Sequence, residues 1–309
     1  MKRIKIEISE LIDFLGDEVI RVEGILDGQF IDHLADAAHV DATTLDWVKS
    51  ENHSKQEIAE QSIARVLLVD TEVRYTEEIR NDGKILIIVN NPKMALAKVG
   101  NHFFVERTEP GIHPTAIISL DAIIGKNVSI GAYSVIGRAI VGDGCMIDAN
   151  VRIYDDVKLG KNCNIKAGAV LGGEGFGFEK DKDGNRFRFP QIGSLILGDD
   201  VEIGANTCID RGALSDTIIG DHTKINNLCH IAHNNMIGRN VVITGCVNVS
   251  GSNVIDDNVW IAPNATIRGF VHIGEGCVVG MGAVVTKDIP ANETWVGNPA
   301  RKIGKAINR

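Results

Sequence analysis

From Ile219 onward an isoleucine or valine stands at every sixth position without a miss: Ile219, Ile225, Ile231, Ile237, Ile243, Val249, Ile255, Ile261, Ile267, Ile273, Val279 and Val285. A period of six matches neither the helical stripe near 3.6 residues nor the strand alternation of 2. It is the period of a parallel β-helix, in which each hexad forms one flat face of a triangular prism and turns its aliphatic residue inward. Two positions before each tooth runs a second, mostly small or β-branched column: Thr223, Cys229, Asn235, Val241, Val247, Asn253, Val259, Ala265, Val271, Cys277 and Ala283. The corners between are rich in Gly, Asp and Asn, as in Gly238-Arg239-Asn240 and Asp256-Asp257-Asn258. Those residue types accept the positive φ that sharp turns demand.

Upstream the comb runs through Ile112, Ile118, Ile124, Ile130 and Ile136, reaches Val141 one residue early, and continues through Ile147, Ile153, Leu159, Ile165 and Leu171. It resumes at Leu197, Ile203 and Ile209. Three hexads per coil predict about eight to nine coils, a prism roughly 40 Å long at the usual strand spacing. Two breaks interrupt it: residues 172–196, read as an inserted arm, and four extra residues between Ile209 and Ile219. The β-helix is therefore expected over 106–289. Residues 1–105 lack the comb and are expected to form a small α/β domain. Its buried strands fall at Arg65–Asp70 and Lys84–Asn90, and Pro92 opens a helix reaching about Asn101. Residues 290–309 are expected to leave the comb as a tail carrying Arg301, Lys302, Lys305 and Arg309.

A net charge of −9, from 32 Lys and Arg against 41 Asp and Glu, argues against nucleic acid or an anionic membrane as the main partner. No apolar run approaches the roughly 20 residues of a membrane span, and the start MKRIKIEISE lacks a signal-peptide apolar region, so a cytoplasmic protein is expected. There are six cysteines and no CxxC pair. Cys145, Cys163, Cys229 and Cys277 fall in the small inward column, where a reduced thiol acts as a compact hydrophobe.

Chemistry has to sit where side chains leave the prism, and the densest candidate is the stretch from Asn226 to Asn235, with His230 and His233. His233 lies at a corner, two residues past the inward Ile231, where a neutral imidazole can take a proton from an amine or hydroxyl; the alternative is a solvated turn histidine. Gly251 follows 18 residues later, one whole coil, so the two should stack on one edge. An unobstructed glycine N–H there can hydrogen-bond an oxyanion, or be simply one more corner glycine.

The motifs Gly175-Phe-Gly-Phe178, Pro190-Gln-Ile-Gly193, Gly198-Asp-Asp-Val-Glu-Ile-Gly204, Ile209-Asp-Arg-Gly-Ala-Leu214, Asp216-Thr-Ile-Ile-Gly220 and Ile231-Ala-His-Asn234 resemble those of the UDP-3-O-(3-hydroxyacyl)glucosamine N-acyltransferases of lipid A biosynthesis. The similarity reaches weakly into the first domain at Asn91-Pro92. The resemblance implies a left-handed parallel β-helix assembled as a homotrimer. It implies His233 as general base and Gly251 as oxyanion donor. It also implies a nucleotide-linked amino sugar as acceptor, acyl carrier protein or acyl-CoA as co-substrate, and no bound cofactor or metal. Trp47 sits where the family stacks an aromatic on the nucleotide base, although a core tryptophan is the alternative. Phe176, Asn226, His230 and Asn234 are expected on the substrate's side and Gly245 and Gly269 on the acyl donor's. The 172–196 arm would reach a neighbouring subunit; a solvated hairpin around Lys182-Asp183-Gly184 is the plainer reading.

The chain departs from that family in three places. Its second active-site histidine falls at Phe270, with His272 displaced by two residues; its acidic residue seven before the base is Asn226; and its C-terminal helical extension is missing. Instead, Val284–Pro290 and Val296–Ile303 resemble the ending of coenzyme A-dependent sugar acetyltransferases, which leaves a dTDP- or UDP-linked amino-deoxy sugar outside lipid A as an alternative acceptor. Two rivals come from other classes. A zinc carbonic anhydrase on this repeat needs histidines converging on one edge, but His272 is separated from His230 and His233 by spacings that are not multiples of 18. A non-catalytic scaffold is the other.

Overall fold

In a computed structural model of the chain, which describes residues 3–106 and 109–306, every tooth of the comb from Ile219 to Val285 is at most 2% exposed. The smaller inward column, Thr223 through Ala283, is buried with it. Three sheets of 11, 9 and 8 strands form the faces of a prism whose neighbouring strands are parallel except at its last turn. The first face runs from Gly111–Ile112 through Lys224–Ile225 to the C-terminal strands; the second includes Cys208–Asp210, His230–Ile231, Asn248–Val249 and Thr266–Ile267; the third includes Leu195–Leu197, Thr217–Ile219, Met236–Ile237 and Val254–Ile255. The chain divides into two units, Thr108–Arg309, which holds this prism, and Met1–Arg107.

Polar residues in the inward column are tolerated because each finds partners inside. Asn235 and Asn253 are fully buried and form a ladder. Asn235 Nδ2 donates to the carbonyls of Ala232 (2.6 Å) and Ser250 (3.0 Å), and its Oδ1 accepts from the amide of Asn253. Asn253 repeats the arrangement one coil on, to Ser250 and Val271. Satisfied in this way, a buried amide locks the corner it faces and costs little desolvation. The corners hold a column of positive-φ residues in which Asn predominates, from Asn127 to Asn292, as expected of a side chain that tolerates the left-handed region. Bulky exceptions exist, and Phe270, at φ 61° and largely exposed, is one.

The tail does not leave the prism. Glu293–Val296 pairs in parallel with Val278–Val279, and Arg301–Lys305 folds back on it antiparallel. Trp295 is the reason the strand can form after the comb has ended, because one buried indole caps the apolar end of the core. Glu293 ties the turn by accepting from Trp295 Nε1 (2.8 Å) and Lys302 Nζ (2.5 Å), so part of the basic character is neutralised on the spot. Arg309 lies outside the described residues.

The first unit is an α/β module. A four-stranded sheet places Val66–Val69 and Ile85–Val89 in its centre, both buried throughout, flanked by Leu45–Trp47 and by Val19–Glu23. The helix Pro92–Val99 starts as the sequence suggests, with Pro at its first turn and Asn91 Oδ1 accepting from the amide of Met94 (3.0 Å). It continues as a π-turn over Gly100–Phe104.

Candidate active site

Every passage from the second face to the third crosses one edge of the prism, and that edge collects the irregular parts of the sequence. The 172–196 arm leaves it after Val170–Gly173, and the four extra residues bulge from it after Cys208–Asp210, one coil higher. His233 occupies the next coil, then Gly251, then Gly269 and Phe270. Both interruptions of the comb therefore lie directly beneath His233, which spacing alone does not disclose.

The arm is a hairpin, Phe178–Lys180 against Arg186–Arg188, with an exposed turn at 181–185. Phe176 is almost fully exposed and meets Phe178 edge-on at 4.9 Å. The base of the arm packs against the histidine: a Cβ added at Gly175 would lie 2.8 Å from His233 Cδ2 and 2.9 Å from its Cβ. On the other side, a Cβ at Gly251 would lie 2.8 Å from Cε1, 3.0 Å from Nε2 and 3.2 Å from Nδ1. The imidazole is held between two glycines, each glycine because no side chain fits.

The bulge fixes the ring's orientation. Asn234 Nδ2 donates to Ser215 O (3.0 Å) and Oγ (2.8 Å), and Asn234 Oδ1 accepts from the amide of Ala213 (3.0 Å). That network sets which end of the amide is oxygen, and His233 Nδ1 lies 2.9 Å from it. The pair demands that Nδ1 carry the proton, which leaves the lone pair on Nε2, facing Gly251. Asn234, expected to meet substrate, is engaged within the chain and orients the histidine. Thr217 Oγ1, accepting from the amide of Asn234, and Asn235, gripping Ala232 O, hold the corner from behind.

Gly251 stands against the histidine ring and lacks the cap that several other corners carry. At several corners the amide is capped by an Asp or Asn side chain one coil above: Lys126 by Asp143 (2.7 Å), Lys161 by Asp199 (2.7 Å), Arg239 by Asp257 (2.7 Å). Above Gly251 stands Gly269, which has no side chain to offer. Among the described residues the Gly251 N–H has no acceptor, beside the histidine lone pair. A base and a free backbone donor at one point are what a tetrahedral oxyanion requires.

Asp210 was not singled out by the spacing. It lies one coil below Ala232, but across the four extra residues, so the 18-residue ruler misses it; a ruler of 22 finds it. Burial pushes its carboxyl up to about 6, while the positive potential of His230 and His233 pulls the other way. Its Oδ2 is 3.8 Å from His230 Nε2, on the outward row of the second face.

The remaining candidates separate. Asn226 lies at the opposite edge, between the first and second faces, in a groove with Lys166, Glu202 and Lys224. Gly245 is beside it: an added Cβ would be 3.8 Å from Asn226 Nδ2. Within one chain these two are not brought to His233, whereas Gly269 is. His272 is on the third face, paired with Asp256 Oδ2 at 2.8 Å, and among the described residues no group of three or more His, Cys, Asp or Glu could hold a metal ion. Trp47 is half-buried, packed along the core of the first unit. All six cysteines are unpaired; Cys145, Cys163, Cys229 and Cys277 are buried, Cys246 is exposed. No helix among the described residues is long and apolar enough to cross a membrane.

A family model described as bacterial transferase hexapeptide (six repeats) matches residues 138–173 and 254–287. The UDP-3-O-acylglucosamine N-acyltransferase of Pseudomonas syringae pv. tomato is 36% identical over 307 residues, covering 93% of this chain and 84% of that protein. That of Coxiella burnetii is 37% identical over 219 residues, 64% of each chain. Among solved structures, LpxA from Acinetobacter baumannii superposes with a TM-score of 0.57 at 29% identity, over 63% of this chain and 74% of that one. LpxA of Bacteroides fragilis, a UDP-N-acetylglucosamine acyltransferase, gives 0.57 at 28% over the same shares. The prism is the left-handed parallel β-helix of these neighbours. Because the first relative matches across both units and not only along the repeat, the chain belongs to the UDP-3-O-acylglucosamine N-acyltransferase family.

Proposed function

We propose that the chain moves an acyl group from a thioester to the amino group of a nucleotide-linked amino sugar, a UDP-linked acylglucosamine as in the name its relatives carry, in lipid A biosynthesis. The observation that carries the reading is the lone pair of His233 Nε2 beside the uncapped Gly251 amide. The amine attacks the thioester carbonyl and forms the C–N bond, Nε2 takes the amine proton, and the Gly251 N–H receives the oxyanion. Collapse breaks the C–S bond, and the imidazolium returns the proton to the departing thiolate. Phe176, exposed, and His230, half-buried, are on the acceptor's side; Gly269, bare above Gly251, leaves room for the thioester. Trp47, half-exposed, is the surface on which the base of the nucleotide stacks.

The assembly is a homotrimer. In support, the outward row of the third face, which begins at the His233 edge, is apolar at Ile123, Ile140, Ile196, Ile218, Met236 and Val254, interrupted by Lys158 and ended by His272. A row of that kind calls for another protein surface, and covering it would close the active-site edge with a neighbouring subunit. Unpaired cysteines fit a cytoplasmic setting. The donor is an acyl carrier protein or an acyl-CoA.

The test is thiol release from carrier-protein and CoA thioesters of several chain lengths, against UDP- and dTDP-linked amino sugars, with His233→Ala alongside. The variant should lose about 10²–10⁴-fold in kcat. Unchanged turnover would remove His233 as the base, and no turnover by either protein with any pair would favour a scaffold.

A further inference from the structure

The family resemblance puts an acidic residue seven positions before the base, and here that position is Asn226, which sits on the wrong edge to reach His233 within its own chain. A different carboxylate lies below the histidines. Asp210 ends the strand Cys208–Asp210; its register partner on the coil below is Gly173, at the root of the arm, and on the coil above the ladder runs from Cys208 and Ile209 to His230 and Ile231. Its side chain is 14% exposed and its Oδ2 is within ion-pair reach of His230 Nε2. The groups that face it are few: Cys208 on its own strand, whose thiol is raised by burial and by Asp210, His230 on the next strand, and His233 at the corner. Arg211, next in sequence, turns away toward Asp155 and Asp156, so among the described residues no cation other than the histidines answers this carboxylate. A buried carboxylate without a fixed cation is unfavourable for the fold and is kept where a transient positive charge needs it.

We propose that Asp210 is a positioning residue of the acyl transfer: its carboxylate, held under the His233 edge, stabilises the positive charge that forms on the histidine pair when His233 takes the amine proton. It supplies from below the negative charge that Asn226 lacks. The proposal rests on His233 being the base.

Asp210→Asn keeps the shape and removes the charge. The ratio of wild-type to variant kcat/KM should follow the ionisation of Asp210: close to one below about pH 5, rising through pH 6 to roughly tenfold above pH 7, with KM for the thioester unchanged. Asp210→Glu should recover part of the loss. In the His233→Ala background, Asp210→Asn should have no further effect. Stability supplies an independent sign. A carboxyl raised to about 6 from 3.8 in the native state adds stability below the unfolded value that is lost as pH rises through 6. Asp210→Asn should therefore have a higher Tm than wild type at pH 8 and none of that advantage at pH 4. A ratio that does not change with pH, or a Tm lowered at pH 8, makes Asp210 a structural residue and ends the proposal. If His233→Ala retained turnover the base assignment would fail instead, which the same assays report separately.

Discussion

Gly251→Ala isolates the geometry on which the chemistry depends. The backbone at Gly251 is outside the left-handed region, so alanine is not strained there, and the three atoms nearest the new methyl carbon all belong to the ring: 2.8 Å to Cε1, 3.0 Å to Nε2 and 3.2 Å to Nδ1 of His233. Ordinary contact begins near 3.4 Å, so the ring has to retreat by roughly 0.6 Å or more. It has little room to do so, because the root of the arm at Gly175 packs against its Cδ2 and Cβ. The remaining freedom is rotation, which breaks the Nδ1 contact to Asn234 Oδ1 and turns Nε2 from the attacking amine. A displacement near 1 Å can cost ~10²-fold in rate, whereas the overpacking itself costs about 1–3 kcal/mol. The variant should fold, lose a few degrees of Tm, and fall about 100-fold in kcat with little change in KM. Thiol release under saturating donor measures the first and a thermal melt the second. A kcat within threefold of wild type would refute the claim that the ring is confined by the two glycines.

Gly269→Asp should install over Gly251 the cap that Asp257 places over Arg239, occupying the N–H proposed for the oxyanion and lowering kcat by about 10²-fold. Gly269→Ala controls for the close approach of any Cβ to Gly251 O, 2.9 Å, and equal losses in the two variants would count against a role for the free amide. Asn235→Ala should strip the partners from Ala232 O and the Asn253 amide inside the prism, leaving Ser250 O with Asn253 alone, and cost about 3 kcal/mol or more, read as a drop in Tm or denaturation midpoint. A loss below about 1 kcal/mol would mean the ladder does not hold that corner.

How much of this was legible beforehand differs from residue to residue. The teeth from Ile219 to Val285 could be read directly, since in a coil of fixed length a residue's position in the repeat dictates whether it points in or out, and all of them are buried. The pairing of His233 with Gly251 follows from the same 18-residue ruler, because nothing is inserted between them. Where residues are added, the ruler fails. Asp210 was missed across four of them, and the arm could be counted as a break, with a neighbouring subunit or solvent as its expected surroundings, but the packing of its root on His233 was not foreseen. The strand at Glu293–Val296 was missed for another reason: a buried Trp295 ends the core there without obeying the comb.

The sequence by itself determined the prism, its inward columns and the edge on which a base can stand, because each is a consequence of local periodicity. Only the tertiary structure decided what that edge does with its irregularities. The root of the arm closes on His233 through Gly175, and the four-residue bulge holds Asn234 through Ala213 and Ser215, so that Nδ1 keeps its proton and Nε2 faces Gly251. Those contacts join residues one and two coils apart through segments that have no repeat, and a chain's period carries no information about where its exceptions fold.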